Sequence, residues 1–334
     1  MVATIKTLAK ETGLSLTTVS KYLNGGNVLS ENKIAIEKAI KKYNYKLNYV
    51  AKTLKTGHTD TVGIVLPSFL DVYHTSLFHY VEVFLRKNGF SIQIFGSGDT
   101  LDAEKNAIQN LLARRVDAIF MLPVYGAKEN ANDIISRGVP LVIGDQFLEG
   151  VDADYVLFDN KKISSDAVRV LIEAGHKRIA VVGADRKYYT ANQRYLGYLE
   201  AMAEANIEII PEYQIFCSDF KTDESKDVVC QLLDLEEPPT AFFATNFYST
   251  VGMISAFHER GLRMGEDISA VGYDSRFILD LVNPKLTIVE QPIEEAGRQI
   301  SELICKKLRQ ENNDKKEQVI IPSKLIIGKS VGRI

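Results

Sequence analysis

Short hydrogen-bonding and cationic side chains cluster between positions 15 and 21 of the sequence. They belong to the segment IKTLAKETGLSLTTVSKYLN at positions 5–24, whose apolar residues recur at helical spacing on either side of Gly13. Gly13 suits a tight turn, and Ser15 suits the N-cap of a second helix. That second helix would expose Leu16, Thr17, Thr18, Ser20 and Lys21. Most of these side chains are of types that contact base edges and phosphates in the major groove of DNA.

Two interpretations of this segment are open. One is a helix-turn-helix, in which a turn of about 3–4 residues joins the helices; the other is an ordinary amphipathic helix pair in a small bundle. Charge favours the first, because residues 1–58 contain ten lysines and three glutamates, a net charge of +7. The whole chain carries −3, so residues 59–334 carry −10. A basic segment joined to an acidic body is typical of a DNA-binding module attached to a second domain.

Composition limits the remaining possibilities. The chain has 334 residues, of which 46% are hydrophobic and 25% charged, as in ordinary globular proteins of two or three domains. No apolar run approaches the roughly 20 residues of a membrane span, and the N-terminus lacks the apolar core of a signal peptide. Cys217, Cys230 and Cys305 have no metal-ligand spacing, so we expect reduced thiols and no metal site. These features predict a cytoplasmic protein without membrane contact.

Alternating strands and helices are predicted on both sides of Asn160. A third helix at 31–43 first completes a three-helix headpiece. The predicted strands are near-continuous apolar runs, at 61–66, 91–95, 118–122, 141–143, 178–182, 214–216, 241–244 and 268–272. The predicted helices between and after them lie at 75–88, 103–114, 127–137, 162–174, 191–205, 223–233, 249–260 and 294–309. This pattern predicts an α/β body of two lobes, each a doubly wound parallel sheet, with ligands bound at the carboxyl ends of the strands.

Several motifs resemble the LacI/GalR family of bacterial transcription regulators. In the headpiece they are T-I-K-T-L-A-K-E-T-G-L-S at 4–15, T-T-V-S-K-Y-L-N at 17–24 and Y-x-x-N-x-x-A-x-x-L at 45–54. In the body they are F-D-N at 158–160, L-I-E-A-G-H-K-R-I-A at 171–180, R-Y-L-G-Y at 194–198, D-I-S-A-V-G-Y-D at 267–274 and L-T-I-V-E-Q-P at 286–292. The resemblance therefore extends over nearly the whole chain.

The resemblance implies a domain organisation. It comprises a helix-turn-helix headpiece at 1–47, a hinge helix or linker at 48–58, and an effector-binding and dimerisation domain at 59–334. Lobe 1 of that domain would contain residues 59–159 and 290–319. Lobe 2 would contain residues 160–289 and 320–334, so that the chain crosses between the lobes three times. Its effector domain would have the fold of periplasmic binding proteins.

The resemblance also implies which residues contact DNA. They are Thr4, Ser15, Leu16, Thr17, Thr18, Ser20, Lys21 and Asn24 in the headpiece and Asn48, Ala51 and Leu54 in the hinge. In the family a hinge leucine wedges into the minor groove at the operator centre, a device that kinks the duplex. Two residues depart from the family pattern, which usually has Arg at the position of Lys21 and Pro at that of Leu47. An exposed linker is the alternative for 48–56.

Four positions match effector-binding positions of the family, and two residues that follow predicted strands of lobe 1 are further candidates. Arg194 and Asp274 would hydrogen-bond the effector, Asn246 and Phe220 match further ligand positions, and Tyr73 and Asp145 are candidates from lobe 1. Arginine and aspartate together offer the donors and acceptors that a polyhydroxylated sugar needs. The alternatives are a structural ion pair for Arg194 and Asp274, core packing for both aromatic residues, and a loop cap for Asp145. Phe247 and Ser275 stand where the family often has acidic residues.

These observations predict a repressor that binds double-stranded operator DNA as a homodimer and is controlled by a small molecule, such as a sugar. A co-regulator protein is a further possible partner. No leucine heptad follows Lys329, so a dimer is expected rather than a tetramer. One rival is a secreted sugar receptor, which would carry a signal sequence in place of residues 1–58. The other is an enzyme with a DNA-binding head, but GxxxxGK[ST], HExxH and GxSxG motifs are absent. We therefore expect neither catalysis nor a cofactor.

Overall fold

The computed structural model describes residues 3–23, 25–46, 53, 57–218, 222–274, 281–309 and 315–334. The chain divides into two compact units, Met1–Thr59 and Asp60–Ile334. Within the described residues, no helix is both long and apolar enough to cross a membrane.

The first unit includes α1 (Ile5–Thr12), α2 (Leu16–Leu23) and α3 (Ser30–Tyr43). The three helices pack around a small core of side chains that are at most 2% exposed, namely Leu8, Val19, Ile36 and Ala39. Gly13 ends α1 with φ at +68°, a conformation that glycine adopts without strain. The Ser15 hydroxyl accepts a hydrogen bond of 3.1 Å from the Thr18 amide and so caps α2. The predicted three-helix headpiece is therefore present.

The described residues of the second unit form twelve strands. In chain order they are β1 (Thr61–Leu66), β2 (Ser91–Gly96), β3 (Ala118–Met121), β4 (Leu141–Gly144), β5 (Asp154–Phe158), β6 (Ile179–Ala184), β7 (Gln214–Cys217), β8 (Ala241–Ala244), β9 (Ser269–Tyr273), β10 (Thr287–Glu290), β11 (Gln318–Ile321) and β12 (Lys324–Ile326). They form two six-stranded sheets, ordered β11-β5-β4-β3-β1-β2 and β12-β10-β9-β8-β6-β7. All pairs are parallel except β12 with β10.

Helices cover both faces of each sheet. The first sheet has Val72–Lys87 and Ile293–Leu308 on one face and Leu101–Ala113 and Lys128–Ser136 on the other. The second sheet has Asn160–Glu173 and Tyr189–Glu204 on one face and Thr222–Leu233 and Phe247–Glu259 on the other. The predicted fold class, with two doubly wound and predominantly parallel sheets, is confirmed.

The chain passes between the two sheets three times. It leaves the first sheet after β5, returns after β10 through the helix that begins at Ile293, and leaves again between β11 and β12. We refer below to the first sheet with its helices as lobe 1 and to the second as lobe 2.

Four strands were not assigned from the sequence, namely β5, β10, β11 and β12. The first of them, β5, follows β4 without an intervening helix, so the strand-helix alternation on which the assignment depended fails there. Several helices also begin two or three residues earlier than predicted. The helix predicted from 75 begins at Val72 because the Asp71 carboxylate accepts a hydrogen bond of 2.9 Å from the His74 amide. Thr100 caps the helix that begins at Leu101 in the same way.

A buried carboxylic acid supports the loop that follows β3. Glu104 is 0% exposed and accepts hydrogen bonds from the Val124 amide at 2.8 Å and the Asn130 side chain at 2.9 Å. Burial raises the pKa of Glu104 to about 7, although both hydrogen bonds oppose the shift. The folded protein therefore holds this proton more tightly than the unfolded chain does.

The pH dependence of stability follows from this shift. The stabilisation from protonated Glu104 is complete below about pH 4.5 and is lost as the pH rises through about 7. In the wild type, the unfolding free energy should decrease by up to about 3 kcal/mol across that interval. Glu104→Gln should abolish this decrease. Urea unfolding followed by circular dichroism at pH 5 and pH 7.5 would measure it. The matched control is Glu129→Gln, an exposed residue that should keep the wild-type profile. Parallel profiles for Glu104→Gln and the wild type would contradict the prediction.

Candidate functional site

A cavity of about 700 Å³ lies between the two lobes of the second unit. Its walls come from the loops that follow β1, β3 and β4 in lobe 1 and β6, β8 and β9 in lobe 2. These are the carboxyl ends of parallel strands, where open α/β sheets bind ligands. The volume is within the range of about 300–1,000 Å³ that small-molecule sites occupy.

Arg194 is the most constrained cation of the cavity. It lies on the helix Tyr189–Glu204 and is only 6% exposed. Its Nε donates to Asn160 Oδ1 at 2.8 Å, and its Nη1 donates to the Thr245 carbonyl at 2.7 Å. Its guanidinium carbon lies 3.9 Å from the centre of the Tyr273 ring, a cation–π contact. These contacts hold the guanidinium in a single orientation.

Asp274 faces this guanidinium across a distance of 3.5 Å, measured from Oδ2 to Arg194 Nη1. Burial raises the pKa of Asp274 to about 7, and the charges of Asp145 and Asp71 reinforce the shift, whereas Arg194 opposes it. Asp274 Oδ1 is buried and has no hydrogen-bond partner among the described residues. A buried acceptor in this state is suited to a ligand donor.

Asp145 belongs to a series of hydrogen bonds that reaches lobe 2 through Gln146. The Tyr73 hydroxyl donates to Asp145 Oδ1 at 3.2 Å, and Gln146 Nε2 donates to Asp145 Oδ2 at 3.1 Å. The same Gln146 nitrogen lies 3.1 Å from Thr190 Oγ1 on lobe 2. Burial raises the pKa of Asp145 and places the pKa of Tyr73 well above its usual value.

A second hydrogen bond crosses the cavity at its other side. The Tyr248 hydroxyl, on lobe 2, donates to Asp71 Oδ2 on lobe 1 at 3.1 Å. Burial, together with the Asp71 charge, raises the pKa of Tyr248 to about 12. His74 Nδ1 lies 3.8 Å from Asp71 Oδ1, which is too long for a hydrogen bond, and is buried without a partner among the described residues.

Gln291 supplies an unpartnered amide at the second crossing between the lobes. It is 4% exposed and lines the cavity. Neither Nε2 nor Oε1 has a hydrogen-bond partner among the described residues. An amide offers one acceptor and two donors, so Gln291 is suited to pairing with a hydroxyl group of a ligand.

Five of the six effector-binding candidates line this cavity, namely Tyr73, Asp145, Arg194, Asn246 and Asp274. Phe220 lies outside the described residues. The Asn246 side chain caps the helix Phe247–Glu259, since its Oδ1 accepts from the Ser249 amide at 2.8 Å and the Ser249 hydroxyl at 2.9 Å. Arg194 and Asp274 form an ion pair and also line the cavity.

Sequence reasoning missed several polar residues of the cavity, among them Asp71, Gln146, Tyr248 and Gln291. Two of them carried a usable signal. Asp71 precedes a helix as an N-cap residue, and Gln291 follows the apolar run of β10 directly. Gln146 and Tyr248 carried none, because their partners across the cavity are distant in the sequence.

The DNA-contact candidates of the first unit lie on α2 and before α1. Leu16, Thr17 and Lys21 are exposed, and Thr18 and Ser20 are partly exposed. Some hydroxyls are already hydrogen-bonded locally: Ser15 Oγ lies 2.9 Å from Thr18 Oγ1, and Thr4 caps α1 in a capping box with Thr7. Asn24, Asn48, Ala51 and Leu54 lie outside the described residues, as does most of the predicted hinge.

Known proteins resemble the chain in both sequence and structure. A family model described as a periplasmic binding protein-like domain matches residues 168–331. The HTH-type transcriptional repressor PurR of Mannheimia succiniciproducens is 32% identical over 99% of this chain and 99% of that protein. The probable HTH-type transcriptional regulator EndR of Paenibacillus polymyxa is 30% identical over 95% of this chain and 94% of that protein.

Two solved structures share the fold over nearly the full chain. The lac repressor dimer bound to operator and the anti-inducer ONPF has a TM-score of 0.86 at 22% identity, with 99% of each chain covered. The transcriptional regulator CelR in complex with cellobiose has a TM-score of 0.74 at 26% identity, with 98% of this chain and 99% of that chain covered.

The hydrogen bond between Tyr248 and Asp71 should help to keep the lobes together. Tyr248→Phe removes the hydroxyl but keeps the ring, and should lower the unfolding free energy by about 1 kcal/mol. It should also speed amide hydrogen exchange in residues 67–74, because the loop before the Asp71 cap loses its contact with lobe 2. Hydrogen-exchange mass spectrometry and urea unfolding would measure the two effects.

The matched control is Tyr125→Phe, because Tyr125 also lines the cavity but is 57% exposed. Its stability should change by less than about 0.5 kcal/mol. If both variants changed exchange and stability equally, the Tyr248 hydrogen bond would have no particular role in holding the lobes.

Proposed function

The chain belongs to the LacI/GalR family, whose members are DNA-binding transcription regulators and not enzymes, and from this premise we propose that it represses transcription as a homodimer on a near-palindromic operator. The observation that carries the proposal is the exposed polar face of α2 on a unit with a net charge of +7. Two such units in a two-fold dimer would contact two half-sites, because operator symmetry mirrors protein symmetry.

Two classes of contact contribute differently to DNA binding. The lysines of residues 1–58 supply phosphate contacts, which make affinity dependent on salt concentration but carry no sequence information. The side chains of α2 contact base edges and supply specificity. Residues 48–58 act as the hinge, and Leu54 wedges into the minor groove; this part of the proposal rests on the family motif at 45–54, which lies largely outside the described residues.

A small polyhydroxylated effector, such as a sugar, binds in the cavity between the lobes. Support comes from the polar groups of Arg194, Asp274, Gln291 and Asp145 that line it. Of these, Asp274 Oδ1 and the Gln291 amide have no hydrogen-bond partner among the described residues. The CelR structure, which has a similar fold, contains cellobiose. Effector binding changes the relative position of the lobes and with it the dimer contacts of lobe 1 and the spacing of the hinges. The effector can change DNA affinity only by as much as its own affinity differs between the two arrangements of the lobes.

The repressor acts in the cytoplasm, where its DNA is located, and its operator-bound form is a dimer. A co-regulator protein is a further possible partner. Light scattering on the full chain should give a dimer at micromolar concentration, and a tetramer that persisted on dilution would contradict this.

The experiment that tests the DNA-binding proposal is selection of bound fragments from the genome of the source organism, followed by sequencing. One enriched near-palindrome would support a specific operator. The selection is repeated with metabolite pools added, so that a co-repressor requirement is detected. Failure to enrich any sequence in either condition, with the protein folded, would overturn the proposal.

Lys21 should contribute to the specificity of operator binding. Lys21→Ala should weaken binding to the selected operator by about tenfold, because a base contact contributes about 1–3 kcal/mol to discrimination. Binding to random DNA should decrease less, so that the ratio of the two affinities falls at least about fivefold. Fluorescence anisotropy at fixed salt concentration would measure both affinities.

The matched control is Lys105→Ala, an exposed lysine of the second unit. The same change in charge there should leave both affinities within about twofold of the wild type. If Lys21→Ala lost the same factor of affinity for operator and for random DNA, Lys21 would contact phosphates and would not contribute to specificity.

A further inference from the structure

The cavity between the lobes has more carboxylates than cations. Among the described residues that line it, the charged side chains are Asp71, Asp99, Asp145, Asp274, Lys187 and Arg194. Lys187 is exposed and forms an ion pair of 3.3 Å with Asp185, and Asp99 is exposed as well. The inner part of the cavity therefore contains three carboxylates and one guanidinium.

Arg194 does not compensate for all three carboxylates. Its Nη1 is shared between the Thr245 carbonyl and Asp274, and its Nε is bonded to Asn160. The hydrogen-bond donors to the other two carboxylates are neutral groups. Asp145 accepts from the Tyr73 hydroxyl and the Gln146 amide. Asp71 accepts from the His74 backbone amide and the Tyr248 hydroxyl.

We propose that the cavity between the lobes binds an amino sugar, which is a polyhydroxylated ligand with an ammonium group, more tightly than the neutral counterpart of that ligand. The inference rests on the proposed role of the cleft as the effector site and adds the charge of the effector. A neutral polyol satisfies hydrogen bonds but leaves the excess negative charge in place. An ammonium group brings a positive charge and three N–H donors.

Unpartnered atoms in the cavity match such a ligand. Among the described residues, Asp274 Oδ1 and His74 Nδ1 are buried polar atoms without a hydrogen-bond partner. A carboxylate oxygen and an unprotonated imidazole nitrogen both accept hydrogen bonds, and an ammonium group needs such acceptors for its N–H groups. The Gln291 amide, also without a partner, suits a hydroxyl group of the same ligand. Tyr73, Phe247 and Tyr248 also line the cavity, and aromatic rings attract cations and pack against sugar rings.

Binding of a cation should release a proton from the cavity. The pKa of Asp274 in the empty cleft is about 7, chiefly because of burial, with Asp145 and Asp71 adding to the shift and Arg194 opposing it. Tyr73 and Tyr273 also interact electrostatically with Asp274, and His74 interacts with Asp145 and Asp71. A positive ligand charge beside Asp274 lowers this pKa, so that the carboxyl ionises as the ligand binds.

The test is isothermal titration calorimetry on the full chain at pH 7, with two matched sets of probes. One set is glucosamine and glucose; the other is the β-1,4-linked glucosamine disaccharide and cellobiose. At this pH the amines are largely protonated. In at least one set, the amine should bind at least about tenfold more tightly than the neutral sugar, and its binding heat should depend on the ionisation enthalpy of the buffer. The N-acetylated forms keep the nitrogen but lose its charge, and should bind no better than the neutral sugars.

Two carboxylate-to-amide variants test the source of the preference. Asp145→Asn places asparagine at a φ of +64°, which asparagine tolerates, and Asp71→Asn keeps a good N-cap residue. Each should reduce the ratio of amine to neutral-sugar affinity at least about fivefold. Asp227→Asn, on the exposed surface of the helix Thr222–Leu233, should leave the ratio unchanged.

The outcomes separate this inference from the proposed function. Amines that bind no better than their neutral partners, or do not bind at all, overturn the inference; if a neutral sugar then alters binding to the selected operator, the proposed function stands. Amine binding without any specific operator would support the charge preference and contradict the proposed repressor role.

Discussion

A permanently charged guanidinium is buried where the two lobes meet, and the geometry of the cleft depends on its partners. Removing an ion from water costs several kcal/mol unless hydrogen bonds and charges replace the water. Arg194 obtains these replacements from three parts of lobe 2: Asn160 at the first crossing, the Thr245 carbonyl after β8, and Tyr273 with Asp274 at the end of β9. One side chain thereby fixes the relative positions of three strand ends.

The contacts across the cavity are of a different kind from those around Arg194. The hydrogen bonds of Tyr248 to Asp71 and of Gln146 to Thr190 each join a side chain of one lobe to one of the other. A hydrogen bond of this kind contributes about 1 kcal/mol net. Together they are comparable to the 1–3 kcal/mol by which effectors typically couple to a second site. The lobe-lobe contacts are therefore weak enough for a ligand to change them, whereas the charged cluster of lobe 2 is not.

The sequence predicted the fold well wherever one element could be recognised by itself. Apolar runs such as β1 and β8 and amphipathic helices such as α3 are determined by local residue order. The strand β5 was missed because it follows another strand without a helix, and helix starts were placed late where a cap such as Asp71 was not considered. The motifs also led to Arg194 and Asp274, and the end of the predicted strand at 141–143 led to Asp145. The Tyr248–Asp71 contact joins residues 177 positions apart in the chain, so no local pattern could indicate it.

Two residues that line the cavity lie at the N-terminal ends of two helices that are packed against each other. Asp71 caps Val72–Lys87, and Gln291 lies two residues before Ile293–Leu308. A Cβ atom at Gly297 would lie 2.5 Å from Tyr80 Cβ, and the Ser301 hydroxyl donates to the Val81 carbonyl, so the two helices are in backbone contact. Because interiors packed this closely transmit strain, a ligand that contacts Asp71 and Gln291 would displace both helices as one unit. The helix pair is thus the element through which a change in the cleft would reach the remainder of lobe 1.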